Sequence, residues 1–190
     1  VVQTAGPQQP DYAPGYERDI KRRVMIPAYA RPAHKRLREK LAALSEWGEQ
    51  CDLNTVRDGD GQLGIITSGI SAAHAREAAP EAAILKLGLT YPLPIEKIRT
   101  FVGTVDRCVV VEEGEGVMVH DLRAAGIEVE GKPDMYRFGE LNVDRVRRIL
   151  AGDTSSEQPA PKDKPPALCQ GCPHREVFET LRDEGCIVTG

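Results

Sequence analysis

Two cysteines near the carboxyl end of the chain, Cys169 and Cys172, have a spacing that lets two side chains bind one metal ion. They belong to the sequence Cys-Gln-Gly-Cys-Pro-His-Arg of residues 169–175, in which Gly171 relaxes the backbone between the thiols. Such a turn supplies half of a zinc or iron–sulfur site, since thiolates suit both. For zinc, His174 and Cys186 are the remaining candidates, although the spacing matches poorly because no second Cys-x-x-Cys follows. A tight turn without a ligand explains the pair equally well.

Two other turns follow apolar strands and are weaker candidates for ligand binding. Residues 68–71 (Ser-Gly-Ile-Ser) end one predicted strand and begin a helix, where backbone N–H groups can hold an anion. A helix cap made by Ser71 is the better explanation. Residues 112–116 (Glu-Glu-Gly-Glu-Gly) are poor as a phosphate loop, because three carboxylates repel a diphosphate and the glycine spacing is not the dinucleotide fingerprint. They can still line a crevice or an interface at the end of their strand.

Short apolar runs alternate with helical patterns through the middle of the chain. The predicted strands are 63–67, 82–87, 105–111 and 127–129, and the predicted helices between and after them are 71–79, 95–102, 117–125 and 142–150. Because the strands are almost continuously apolar and are separated by helices, we expect right-handed crossovers and a parallel sheet covered on both faces. The predicted fold class is α/β, with three layers. An amphipathic helix from Ala33, carrying Leu37, Leu41, Leu44 and Trp47 on one face, precedes this region.

Composition divides the chain into four expected segments. They are a proline-rich extended connector with the amphipathic helix (1–62), the α/β domain (63–151), a proline-rich linker (152–167) and the start of another domain (168–190). The chain begins with Val1 instead of Met, and its last residues stop within an apparent strand. We therefore expect an internal piece of a longer protein.

The overall composition excludes several classes of protein. The net charge is −4, and no apolar run approaches the ~20 residues that cross a bilayer. Nine Lys and Arg residues lie between Arg18 and Lys40, but only one aromatic residue accompanies them and the rest of the chain is acidic, which disfavours nucleic-acid binding. The first residues lack the basic start and apolar stretch of a secretory signal, and with an odd number of five cysteines we expect reduced thiols and a cytoplasmic location.

These motifs together, in their order along the chain, resemble the large subunit of the indolepyruvate ferredoxin oxidoreductases. Residues 19–31 (Asp-Ile-Lys-Arg-Arg-Val-Met-Ile-Pro-Ala-Tyr-Ala-Arg) resemble the segment that follows the first domain of that subunit. Residues 63–70, 86–94 and 110–114 look like its next domain, which is similar to the transketolase C-terminal domain. Residues 168–175 look like the entry to its thiamine-diphosphate domain, and this last match is the most specific.

The resemblance implies an enzyme that oxidatively decarboxylates arylpyruvates such as indolepyruvate to acyl-CoA, with ferredoxin as electron acceptor. It also implies thiamine diphosphate, Mg²⁺ and 4Fe–4S clusters, a smaller β subunit and an oligomer. Cys169 and Cys172 become iron–sulfur ligands that need further cysteines, and Gly171 and His174 are weak candidates for cofactor binding. No catalytic residue is expected within these 190 residues, which by themselves should be inactive and bind no cofactor.

Two alternatives remain open at this point. One is a small α/β binding module whose Cys169, Cys172, His174 and Cys186 take zinc. The other is a different thiamine-diphosphate enzyme, such as a transketolase relative, which the cysteine pair disfavours because those enzymes need no cluster.

Overall fold

The computed structural model describes Gly15, residues 17–157 and residues 174–186. The chain divides into two compact units, residues 1–154 and 155–190, which are described separately. The helices of the first unit are α1 (Ile20–Arg23), α2 (Pro27–Gln50), α3 (Ser71–Ala78), α4 (Ile95–Val102), α5 (Val117–Ala124) and α6 (Val143–Leu150), with a 3-10 turn at Asp134–Arg137. Its strands are β1 (Thr55–Arg57), β2 (Leu63–Ser68), β3 (Ala83–Leu87) and β4 (Arg107–Val111). The second unit contains α7 (His174–Asp183).

The strands form one sheet in the order β1-β3-β2-β4. Strand β2 lies in the middle and is parallel to both neighbours, with Ile65 opposite Ile84 on β3 and opposite Val109 on β4. The α/β class predicted from the sequence is confirmed. The sheet departs from the prediction at one edge, where β1 pairs with β3 in the antiparallel direction. The sequence predicted a polar turn from Arg57 onward and no strand before it. All three side chains of β1 are exposed, so the strand has no apolar pattern from which it could be predicted.

The predicted strand at residues 127–129 is not a strand in the structure. A single parallel bridge forms one residue later, between Glu130 and Val109. The Val110 N–H donates to the Glu130 carbonyl at 2.8 Å, and the Glu130 N–H donates to the Cys108 carbonyl at 2.9 Å. Ile127 and Val129 are buried, but they form no ladder of hydrogen bonds with a neighbouring strand. Their apolar pattern therefore predicted burial correctly and a β-strand incorrectly.

Helices cover both faces of the sheet, as predicted. On one face, Ile66, Leu85 and Val110 pack with Ile98 of α4 and Leu122 of α5. The opposite face has its own cluster, formed by Ile65, Ile84, Val109, Ala75 of α3, Val146 of α6 and the fully buried Tyr136. Two apolar clusters separated by one sheet are what a three-layer α/β domain requires.

The segment before the sheet is more helical than predicted. Helix α2 begins at Pro27, not Ala33, and includes Pro32. Proline is tolerated at the first position of a helix because its missing N–H has no intrahelical partner there. Of the expected apolar face, Leu37 and Trp47 are each 50% exposed, and Gly48 is the buried residue of this helix. None of the helices in the described ranges is long and apolar enough to cross a membrane.

Candidate functional site

The cysteine motif falls mostly outside the described residues: Cys169, Gly171 and Cys172 are not among them. His174 is the first residue of α7, and Cys186 is exposed three residues beyond its end. A helix of 10 residues is about 14 Å long, whereas two ligands of one zinc ion lie within a few ångströms of each other. His174 and Cys186 therefore cannot both complete one zinc site as α7 stands. Within the described ranges, no three metal-ligating side chains come together.

A crevice lies at the carboxyl end of the parallel strands. The chain leaves β2 toward β3 on one side, and it leaves β4 toward Glu130 on the other, so the two loops diverge as they do at ligand-binding switch points of open α/β sheets. The space between them has a volume of about 370 Å³. We call it the carboxyl-end crevice, and its lining includes Ser68, Ile70, Tyr91, Glu112, Glu113 and Val117.

The rim of the carboxyl-end crevice is apolar and exposed. Ile70, Tyr91 and Val117 keep 63%, 66% and 61% of their surface accessible, and they come from three different loops or helix starts. Large apolar side chains that converge in this way are typical of a surface that another protein surface covers. The crevice thus has the character of a contact site.

Glu112 is a structural residue within this crevice. Its side chain is buried, and its two carboxylate oxygens accept hydrogen bonds from the N–H groups of Met118 at 2.9 Å and Val119 at 3.1 Å. These are first-turn N–H groups of α5, which otherwise have no partner within the helix. Because this carboxylate already occupies the helix N-terminus, residues 112–116 do not form a phosphate loop.

The other charged residues of this loop are also engaged by the protein itself. The Glu113 carboxylate accepts from the Leu141 N–H at 3.3 Å, and Glu115 pairs with Arg137 at 3.1 Å. Lys132 donates to the Glu112 carbonyl, and burial lowers the pKa of its ammonium against the opposing influence of the glutamates. The acidic loop therefore holds the end of β4 to the segment that leads into α6.

The start of α3 differs from the predicted cap. Ile70 precedes the helix with helical dihedral angles, and no side chain caps it. Ser71 is instead the first helical residue and is fully buried, and its Oγ has no hydrogen-bond partner among the described residues. The buried Oγ1 of the nearby Thr67 likewise has no hydrogen-bond partner among the described residues. The helix begins one residue too early for Ser71 to cap it, so the predicted cap is wrong.

Asn54 is an important buried residue that sequence analysis missed. Its side-chain N–H donates to the Gly48 carbonyl at 2.9 Å, and its Oδ1 accepts from the N–H groups of Gly88 at 2.9 Å and Leu89 at 3.1 Å. One amide thereby joins the end of α2 to the segment after β3. The only signal in the sequence was an Asn beside a short polar turn, which is common at surfaces and does not predict burial.

No protein-family model matches the chain. It is 32% identical over 191 residues to the indolepyruvate oxidoreductase subunit IorA of Methanothermobacter thermautotrophicus, and 34% identical over 190 residues to that of Archaeoglobus fulgidus. Each match covers 88% of this chain and 30% of the relative, so the chain spans less than a third of their length. The IorA subunit of Pyrococcus abyssi is 28% identical over 92% of this chain.

A solved structure shares the fold. It is a 2-oxoglutarate:ferredoxin oxidoreductase from Magnetococcus marinus with 2-oxoglutarate, coenzyme A and succinyl-CoA bound. The TM-score is 0.50 at 18% sequence identity, and the match covers 68% of this chain and 24% of that one. At this identity the likeness concerns the arrangement of strands and helices alone.

Proposed function

Because this chain belongs to the IorA family of indolepyruvate oxidoreductase subunits, we propose that it is part of an enzyme that oxidises arylpyruvates with ferredoxin as electron acceptor. The observation that carries the proposal is an identity of 32% and 34%, sustained over 88% of the chain, to subunits of that name from two organisms. A match over 88% of the chain is too long to rest on one motif.

The proposed reaction converts an arylpyruvate and coenzyme A into acyl-CoA and CO₂. Two electrons leave the substrate in this conversion, and two ferredoxin molecules each accept one of them. Thiamine diphosphate with Mg²⁺ supplies the electron sink that decarboxylation of a 2-oxoacid needs. We also propose a smaller partner subunit and a cytoplasmic location, where the thiols of Cys51, Cys108 and Cys186 would stay reduced, as they are in the structure.

In this enzyme we assign the α/β unit to contact and positioning. The apolar rim formed by Ile70, Tyr91 and Val117 supports contact, because these side chains gain most from being covered. Glu112 and Glu113 support positioning, since each fastens the crevice loop to a neighbouring backbone N–H. The proposed domain limits are 63–151 for this unit, 152–167 for a linker and 168–190 for the start of the thiamine-diphosphate domain.

We assign Cys169 and Cys172 as two ligands of an iron–sulfur cluster, with further cysteines outside these residues. Soft thiolates suit iron–sulfur clusters as well as zinc. The length of α7 argues against zinc, because it keeps His174 and Cys186 apart. Gly171 and His174 remain weaker candidates for contact with the thiamine cofactor.

The cluster assignment is tested in the protein expressed from its complete gene together with its partner subunit. Cys169→Ala and Cys172→Ala should each lower the iron and acid-labile sulfide content and remove an electron paramagnetic resonance signal of the reduced enzyme. Cys186→Ala is the matched control and should change neither. Zinc in place of iron, or an unchanged signal in both variants, would overturn the assignment.

The reaction is tested in the same complex with ferredoxin reduction as the readout. Indolepyruvate and phenylpyruvate should support reduction that depends on coenzyme A, and pyruvate and 2-oxoglutarate should support much less. A preference for 2-oxoglutarate or pyruvate would reassign the substrate within the 2-oxoacid:ferredoxin oxidoreductases. Turnover that needs neither coenzyme A nor ferredoxin would contradict the proposal itself.

A further inference from the structure

A groove runs beside the antiparallel edge strand, on the face of the sheet that carries α3 and α6. Helix α3 packs against β2 and β3 and leaves the outer side of β3 and β1 uncovered. Thr55 lies opposite Lys86, and Arg57 lies opposite Ile84. We call the resulting space, which has a volume of about 510 Å³, the edge groove.

Three cationic side chains line the edge groove: Arg57 and Lys86 come from the sheet, and Arg76 comes from α3. Arg57 donates to the Pro80 carbonyl, which restrains its guanidinium. Among the described residues that line the groove, none is acidic. Three positive charges around one space repel each other, and a bound anion relieves that repulsion.

Apart from Thr55 and the three cations, the residues that line the edge groove are apolar. Ala72 and Ala73 form the α3 side, and Ile84 contributes from the sheet. The volume lies within the range of about 300–1,000 Å³ that small-molecule pockets occupy, and it is much larger than a bare phosphate ion needs. The groove therefore offers space for an organic body beside the charged end of a ligand.

We propose that the edge groove binds a small organic phosphate. Its phosphate groups would lie among Arg57, Arg76 and Lys86, because guanidinium groups bind phosphate oxygens in pairs and an ammonium adds a point charge. Its organic part would lie against Ala72, Ala73 and Ile84. Three cations match a di- or trianion better than the single charge of a carboxylate, which distinguishes this ligand from a 2-oxoacid. Coenzyme A of the proposed reaction belongs to this ligand class, but the inference rests on the groove alone and would stand if the proposed reaction were wrong.

The ligand class is tested by isothermal titration calorimetry with the 190-residue chain. Pyrophosphate and ADP are the probes, AMP carries less charge, and adenosine carries none. Binding should weaken in the order ADP, AMP, adenosine, and it should weaken further as salt rises, because the contacts are charged and exposed. Phenylpyruvate should bind less tightly than pyrophosphate. Equal binding of adenosine and ADP, or no saturable heat with any phosphate at millimolar concentration, would overturn the proposal.

The location is tested with Arg76→Gln and Lys86→Gln, whose side chains are exposed and lie outside both apolar clusters. Each should weaken ADP binding about five- to tenfold, as expected for one charge-assisted hydrogen bond. Arg147→Gln removes the same charge from an exposed position on α6 that does not line the groove, and it should change the affinity less than about twofold. Circular dichroism and thermal unfolding verify that the variants fold. The proposal fails if Arg147→Gln weakens ADP binding as much as the groove variants, or if a glutamate-rich peptide binds and pyrophosphate does not.

Discussion

The buried carboxylate of Glu112 and the backbone N–H of Met118 lie 2.9 Å apart, and this contact fastens the end of β4 to the first turn of α5. A second hydrogen bond from the same carboxylate reaches Val119 at 3.1 Å. Both backbone N–H groups need a hydrogen-bond acceptor, and a carboxylate provides two acceptor oxygens. The loop that lines the carboxyl-end crevice is therefore held by the two carboxylate oxygens of one buried side chain.

Replacing Glu112 with Gln should destabilise the fold, because the amide N–H₂ would face a backbone donor that then lacks an acceptor. We expect the free energy of unfolding, measured by urea denaturation, to fall by about 1–3 kcal/mol. Glu115→Gln is the matched control in the same loop. Its side chain is 71% exposed and pairs with Arg137, so the loss should stay below about 1 kcal/mol. Similar losses in both variants would mean that the capping role is misassigned.

Removing the Asn54 amide should cost more than removing an exposed cap. Asn54→Ala removes a buried amide and leaves three backbone groups without their partner, one from a buried hydrogen bond and two from partly buried ones, and we expect the free energy of unfolding to drop by about 3 kcal/mol. Asn142→Ala is the comparison. The Asn142 side-chain oxygen accepts a hydrogen bond from the Arg145 N–H at 2.9 Å at the exposed start of α6, so its removal should lower the free energy of unfolding by only about 1 kcal/mol. If Asn54→Ala lowered the free energy of unfolding no more than Asn142→Ala, the Asn54 hydrogen bonds would not be important for stability, and water would have to replace them at the three backbone groups.

Adding a methyl group at Gly88 should disturb the turn after β3. A Cβ there would lie 2.6 Å from the Leu53 carbonyl oxygen and 2.7 Å from Leu53 Cβ, so the backbone must shift. We expect Gly88→Ala to lower the melting temperature and the free energy of unfolding by about 1–3 kcal/mol. Gly103→Ala meets only atoms at 3.4 Å and beyond and should be nearly neutral. A neutral Gly88→Ala would show that the two segments are not closely packed.

The ion pair between Arg107 and Glu130 should make stability depend on pH. Arg107 donates from Nε at 2.8 Å and from Nη2 at 2.6 Å, and this hydrogen bonding lowers the pKa of the Glu130 carboxyl. A carboxyl with a lowered folded-state pKa stabilises the fold above its unfolded pKa and loses that contribution as pH falls through the folded value. Because both side chains are more than one-third exposed, the contribution at neutral pH should be only about 0.2–1 kcal/mol.

The contribution of this ion pair is measured by comparing wild type with Glu130→Gln. Both are unfolded with urea at a series of pH values, from neutral to well below the ordinary glutamate pKa of about 4.3. The two free energies of unfolding should differ at neutral pH and converge in acid. A difference that persists unchanged in acid would assign the effect to packing and not to charge.

The described cysteines should differ in reactivity toward iodoacetamide. Burial, assisted by the charge of Glu130, raises the pKa of the Cys108 thiol to about 12, so almost no thiolate exists at mildly alkaline pH. Cys51 is also buried, whereas Cys186 is exposed. Mass spectrometry should find Cys186 modified first, and Cys51 and Cys108 only after urea is added. Early modification of Cys108 would show that β4 opens in the native state.

Much of the α/β unit could be predicted from the sequence because its signals are local. The run Cys108-Val109-Val110-Val111 predicted the buried strand β4, and Asn142 predicted the cap of α6, which its side chain makes. Strand β1 could not be predicted in this way. Its pairing with β3 depends on residues about 30 positions away, and its own side chains are exposed.

The candidate site was harder to predict than the fold. Residues 112–116 were predicted to line a crevice or an interface, but burial of the Glu112 side chain was not, because charged residues are almost never fully buried without partners. Its partners are backbone N–H groups of a helix six residues further on, and these become available only once α5 forms beside β4. Likewise, the three cations of the edge groove lie at positions 57, 76 and 86, where no spacing rule connects them.

The sequence by itself determined the fold class and the alternation of strands and helices, because burial and helix periodicity show in the order of neighbouring residues. Only the tertiary structure decided which polar groups meet. Hydrogen bonds such as those of Glu112 and Asn54 join residues that are distant in sequence or belong to different elements, and their energy depends on distances of a few tenths of an ångström that no local pattern specifies.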